Sequence, residues 1–249
     1  MRKKLIAANW KMYKTPEQSR EFFRDFLPLV EGHERDEIVV CTPFIDLATS
    51  VEAARGSNVA VGAQNMHWEK EGAFTGEVSA AMLTAIGVAH VIIGHSERRQ
   101  YFNETDDTVN LKLKAALEAG FVPIVCVGEV LEEREANLTD DVLRRQCLRA
   151  FHKVSAKKAA SLVVAYEPVW AIGTGKTATP EIASDAHAII RGEVTQSFGE
   201  EFANNLRILY GGSVKPDNAH ALMTAEGIDG ALVGGASLDP KAFAAIVNY

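Results

Sequence analysis

Eight short runs of continuous apolar, β-rich sequence recur along this chain: LIAAN at 5–9, IVVCT at 38–42, VAVGAQN at 59–65, HVIIGHS at 90–96, VPIVCVGE at 122–129, LVVAYE at 162–167, RILYGGS at 207–213 and GALVGGA at 230–236. A strand with one wet face alternates apolar and polar residues. These runs do not alternate, which is the pattern of parallel strands covered on both faces. Helical patterns fill the intervals. In TPEQSREFFRDFLPLV, Phe22, Phe23, Phe26, Leu27 and Val30 share one face, with Thr15 placed to cap and Pro16 at the first helical position. Residues 105–119, 131–153, 180–198, 216–225 and 238–248 read as helices too, with shorter ones at 46–55 and 79–86. Eight strand-then-helix units without a linker or composition shift predict one α/β domain over residues 1–249, a closed (β/α)8 barrel with a parallel eight-stranded core. An open doubly wound sheet is the alternative, but such sheets rarely need eight near-equivalent units.

In a barrel of this kind the residues after each strand gather at one mouth, where active sites are built. The strand ends here carry Asn9 and Lys11; Gln64 and Asn65; His95, Ser96 and Glu97; Glu129; Glu167; Gly211, Gly212 and Ser213; and Gly234 with Gly235. Glu167 precedes a segment rich in Gly, Ala and Thr, and Thr179-Pro180-Glu181 then opens a helix. A carboxylate on a rigid strand end beside a loop that could close suits a general base working under a lid. The bland alternative is a strand-capping glutamate beside an ordinary surface loop. His95 is followed by Ser96 and a short helical stretch, ERRQYF, whose N-terminus disfavours the imidazolium and predicts a neutral histidine. The other six histidines (33, 67, 90, 152, 187, 220) fall on surface-like or helical positions. Lys11 offers a point charge to an anion. The glycine pairs after the last two strands allow backbone amides to approach a phosphate.

Several function classes are excluded. GTGKT would need a glycine at 170 to be a nucleotide-binding P-loop, and Trp170 stands there. The same stretch fits a dinucleotide fingerprint only loosely, because Pro168-Val-Trp-Ala-Ile separates strand from glycines. G-x-S-x-G is absent, and no His/Cys/Asp/Glu cluster has metal spacing. A net charge of −7 without basic runs longer than three argues against nucleic acid or an anionic membrane as partner. Cys41, Cys126 and Cys147 show no CxxC spacing and read as buried free thiols of a reducing compartment. The N-terminus has too few apolar residues for a signal peptide, and no apolar run nears the roughly 18 residues of a membrane span, so a cytoplasmic protein is expected.

NWKM at 9–12, GHSERR at 94–99, AYEPVWAIGTGKTATP at 165–180, YGGSVK at 210–215 and VGGASL at 233–238 together resemble the triosephosphate isomerase family, in its order and over almost the whole chain. The resemblance implies a TIM barrel that interconverts dihydroxyacetone phosphate and D-glyceraldehyde 3-phosphate through an enediolate, in glycolysis and gluconeogenesis, without cofactor or metal. Glu167 would move the proton between adjacent carbons. His95 would polarise the carbonyl, Lys11 would stabilise the developing charge, Asn9 would shape the site and Glu97 would orient Lys11. Asn9 and Lys11 would also bind substrate, and its phosphate would be held by the backbone amides of Gly173, Ser213, Gly234 and Gly235, with residues 168–178 closing over it. A neutral catalytic histidine and a closing loop are known features of this family and come with the resemblance. The resemblance also implies a homodimer in which the loop 65–79, with Thr75 at its tip, reaches into the partner. After NWKM this chain has Tyr13-Lys14 where many relatives carry Asn-Gly, a change expected to alter interface detail and not chemistry. A barrel enzyme acting on larger phosphosugars and a catalytically silent phosphometabolite-binding barrel are the competing readings.

Overall fold

The structure is a computed structural model that describes residues 2–172 and 177–249. Its strands are β1 (Leu5–Asn9), β2 (Glu37–Thr42), β3 (Val59–Ala63), β4 (His90–Ile93), β5 (Val122–Val127), β6 (Val163–Tyr166), β7 (Arg207–Tyr210) and β8 (Gly230–Val233). All pair in parallel in sequence order, and β8 returns to β1, closing the barrel. Around it lie α1 (Pro16–Phe26), α2 (Leu47–Ala54), α3 (Ala80–Ala85), α4 (Ser96–Tyr101), α5 (Asp106–Glu118), α6 (Leu131–Glu135), α7 (Thr139–Ala150), α8 (Pro180–Phe198), α9 (Glu200–Asn205), α10 (Ala219–Thr224) and α11 (Pro240–Val247).

The strands are apolar throughout because both faces are buried. Leu5, Ala7, Val39, Cys41, Ile92, Ile124, Cys126, Val163, Ala165, Leu209 and Leu232 fill the barrel interior. Their neighbours in sequence, such as Ile6, Ala8, Val40, Ile93, Val125 and Val164, face outward and pack beneath the helices. Helix α1 begins as its sequence predicts. The Thr15 side chain accepts from the Gln18 amide, the Gln18 side chain accepts from the Thr15 amide, and Pro16 occupies the first turn. Its buried Phe22 meets Trp10 edge-on, with ring centroids 4.9 Å apart. Cys41, Cys126 and Cys147 are free and buried.

Three expectations change. The helix expected over 131–153 is two helices, because Asn137 adopts a left-handed φ of 58° and ends α6 before Thr139 starts α7. A further short helix, α9, follows Gly199, whose φ of 90° turns the chain after α8. Three histidines placed on surface-like or helical positions, His67, His90 and His187, are buried. His90 starts β4 at the far end of the barrel, where Glu37 binds both it and Arg207. His187 lies on the inner side of α8, and burial pushes its pKa down to about 4.

No described helix is long and apolar enough to cross a membrane. No group of three or more His, Cys, Asp or Glu among the described residues could hold a metal ion.

Candidate active site

Each catalytic candidate sits at or just past the end of a strand. Asn9 closes β1, and its Oδ1 accepts from the Lys11 amide at 3.0 Å. That local bond helps hold Lys11 in a left-handed conformation, φ 55°, a shape a lysine rarely takes without such support. The Lys11 ammonium then reaches Glu97 Oε1 at 2.7 Å, 86 residues away in sequence. Glu97 lies in the first turn of α4, which His95 caps.

His95 and Glu167 face one another. Nε2 of His95 is 2.9 Å from Glu167 Oε1, while the Ser96 amide donates to Glu167 Oε2, also at 2.9 Å. Glu167 is 2% exposed. Burial alone would favour its neutral form. His95, the Ser96 amide and Lys11 outweigh that, holding the carboxyl below its ordinary pKa and therefore ionised. On His95 burial disfavours the imidazolium, but the facing carboxylate more than offsets it and raises the pKa. The expectation of a histidine kept neutral by the helix N-terminus thus omitted its strongest charged neighbour. The helix end still acts, since the Glu97 amide donates into Nδ1 at 3.2 Å, which needs a lone pair there and leaves Nε2 as the proton-bearing nitrogen.

The segment leaving Glu167 is anchored by a residue that the motifs left without a role. Glu129, fully buried, accepts from Tyr166 Oη at 3.0 Å and Trp170 Nε1 at 2.8 Å, with Arg134 Nη1 at 3.2 Å. The signal available was its place at the end of β5, next to Gly128. A Cβ at Gly128 would overlap the Glu167 carbonyl, so only glycine lets these strand ends approach.

Asn9, Lys11, His95, Glu167, Gly211, Ser213, Gly234 and Gly235 line one cavity of about 470 Å³. A larger cavity of about 760 Å³ opens on the other flank of Glu167, between Arg99, Tyr101, Arg145 and Trp170. It lacks Lys11, His95 and the glycine pairs, so the smaller one is the candidate site. Gly234 approaches Lys11 closely, since a Cβ there would lie 3.4 Å from Lys11 Cε. Gln64 and Asn65 stand apart, the first bound to the Cys41 carbonyl and the second to Lys112. Gly173 and most of the GTGKT stretch lie outside the described residues. Thr75 is exposed on its loop.

A family model described as "Triosephosphate isomerase" matches residues 4–249. The chain belongs to the triosephosphate isomerase family. A triosephosphate isomerase of Solibacter usitatus is 61% identical over 249 residues, covering all of both chains. That of Carboxydothermus hydrogenoformans is 55% identical over 248 residues, covering 100% of this chain and 99% of its own. One from Clostridium botulinum is 54% identical over the full length of both. Of the side chains that the resemblance singled out, Asn9, Lys11, His95 and Glu167 line a single cavity.

Proposed function

We infer that this site interconverts dihydroxyacetone phosphate and D-glyceraldehyde 3-phosphate. The observation that carries the reading is the convergence of an ionised, buried Glu167 with His95, Lys11 and two glycine-bearing strand ends on one cavity of about 470 Å³. In the proposed chemistry Glu167 takes a proton from the hydroxyl-bearing carbon next to the carbonyl. The bonding pair flows into the carbonyl, whose oxygen gains negative charge as the enediolate forms. His95, with its proton on Nε2, donates to that oxygen and helps transfer a proton between the two oxygens. Lys11, fixed by Asn9 and Glu97, lies where it can stabilise the anion. Glu167 then returns its proton to the neighbouring carbon. The substrate supplies both carbons and both oxygens, so no redox partner enters. Amides of Gly234 and Gly235 and the Ser213 segment would take the phosphate, joined by Gly173 from the closing loop.

We further propose a cytoplasmic enzyme of glycolysis and gluconeogenesis, built as one (β/α)8 domain and assembled as a homodimer. Met12, Ile45, Phe74, Met82 and Phe102 are all more than 40% exposed, and they fall in the segments that follow β1 to β4, the third of which carries Thr75. Covering such residues is what a partner subunit would do. The reading is tested by following glyceraldehyde 3-phosphate conversion with a coupled dehydrogenase specific for dihydroxyacetone phosphate. Rapid turnover by the purified protein is expected; absence of turnover in a folded protein would overturn it.

A further inference from the structure

We propose that Lys14 is a positioning residue that clamps the final phosphate-side loop, so that affinity for the phosphate end of the substrate depends on it. The inference rests on the functional reading above, in which the Gly234–Gly235 backbone receives phosphate. Lys14 has φ 74°, a left-handed conformation that strains a residue bearing a Cβ. Such strain persists where surrounding contacts over-determine it. Here the side chain turns inward, and its ammonium donates to the Leu238 carbonyl at 2.9 Å. The same ammonium lies 5.1 Å from the ring centroids of both Trp10 and Phe22, which are buried. Burial pushes its pKa down, with Asp239 and Asp46 opposing the shift.

Leu238 ends the single helical turn Gly235–Leu238, which follows directly on Gly234. The turn is tied internally, since the Ser237 amide and hydroxyl both donate to the Gly234 carbonyl, at 2.8 and 2.7 Å. These bonds tie the turn into one unit, and Lys14 anchors its carbonyl end. Its first residues line the candidate cavity beside Lys11. A cation bound at the carbonyl end is favourable in itself, because it offsets the negative pole of the turn. Lys14 is three residues beyond Lys11, so one residue couples the loop after β1 to the loop after β8. The expectation that Tyr13-Lys14 alters only interface detail leaves this reach to Leu238 out.

The test compares the full-length wild type with Lys14→Met, Lys14→Gly and Lys14→Arg. Lys14→Gly accepts the left-handed backbone without strain, so it folds even if Lys14→Met does not. Inorganic phosphate binding is followed by phosphorus NMR. KM and kcat are measured on glyceraldehyde 3-phosphate and on unphosphorylated glyceraldehyde. Losing one charge-assisted hydrogen bond predicts phosphate binding weakened, and KM for the phosphorylated substrate raised, by about tenfold in the Met and Gly variants. Their kcat/KM on glyceraldehyde should stay within about twofold of wild type, and Lys14→Arg should recover most of the phosphate affinity. Undiminished phosphate binding in Lys14→Gly, or an equal loss on both substrates, overturns the clamp. If wild type binds phosphate but turns over no triose phosphate, the functional reading falls, and the phosphate titration still judges the clamp.

Discussion

Glu167 owes its charge to its neighbours. A carboxyl this deeply buried would ordinarily hold its proton, yet one imidazole and one backbone amide contact its two oxygens, and the ionised form prevails. Lys11 depends on neighbours in the same way. Its backbone is set by Asn9 and its ammonium by Glu97, so the charge is fixed before any substrate arrives. Lys11→Ala is expected to weaken binding of a phosphate-bearing competitive inhibitor about tenfold or more and to lower kcat as well. Unchanged inhibitor affinity would remove Lys11 from the electrostatic role assigned to it. At this scale the sequence was informative about which residues gather at the barrel mouth and poor on how they pair. Asn9, Lys11, His95 and Glu167 were legible because each lies at or just past the end of a strand, and strand ends meet at the barrel mouth. The contact between His95 and Glu167 spans residues from β4 and β6, and no local pattern encodes it. It opposes the effect of burial and of the helix N-terminus on the histidine.

The elements were legible in proportion to how local their causes are. Strands stood out because burial on both faces leaves them no polar positions. Helix α1 stood out because its cap, its proline and its phenylalanine face are all written in adjacent residues. The break between α6 and α7 was not legible, since an asparagine in left-handed geometry looks like any other polar residue within a helical pattern. Nor was the burial of His90 and His187, which depends on what packs against them. Glu129 belongs to this scale as well. It ties β5 and β6 to the short turn bearing Trp170, and thereby fixes how the chain leaves the catalytic strand. Trp170→Phe keeps an aromatic ring and removes the donor. Urea unfolding followed by circular dichroism should show a loss of about 1.5–3 kcal/mol, the usual range for a hydrogen bond to a charged group. Stability equal to wild type would mean that the bond contributes nothing net.

For the molecule as a whole, closure of the barrel places charge at both ends. At the mouth, in a chain of net charge −7, Lys11 and the glycine-bearing loops after β7 and β8 border the candidate cavity. At the opposite end, His90 and Arg207 bracket Glu37. The bonds to both hold the Glu37 carboxyl at about 2, below its ordinary 4.5. A depressed carboxyl pKa stabilises the fold above the unfolded-state value, and that contribution fades as pH falls towards the folded one. Glu37→Gln should therefore melt lower than wild type near neutrality, with the gap shrinking between pH 4.5 and 2. A gap that stays constant over that window would show that the charge on Glu37 is not what stabilises. Assembly is also a property of this scale. Deleting the loop tip around Thr75 should yield monomers in sedimentation velocity, and an intact dimer would refute the proposed interface. The barrel itself was legible from eight repeats of one pattern, whereas its two charged ends emerge only when distant strands are brought side by side.

The central claim is that Glu167 carries the proton, and Glu167→Gln tests it most directly. The substitution keeps the shape and removes the base. In the coupled conversion of glyceraldehyde 3-phosphate, the variant is expected to lose several powers of ten in kcat with only a modest change in KM, because the lost interaction acts in the transition state. Near-normal turnover by a folded Glu167→Gln protein would contradict the account at its core.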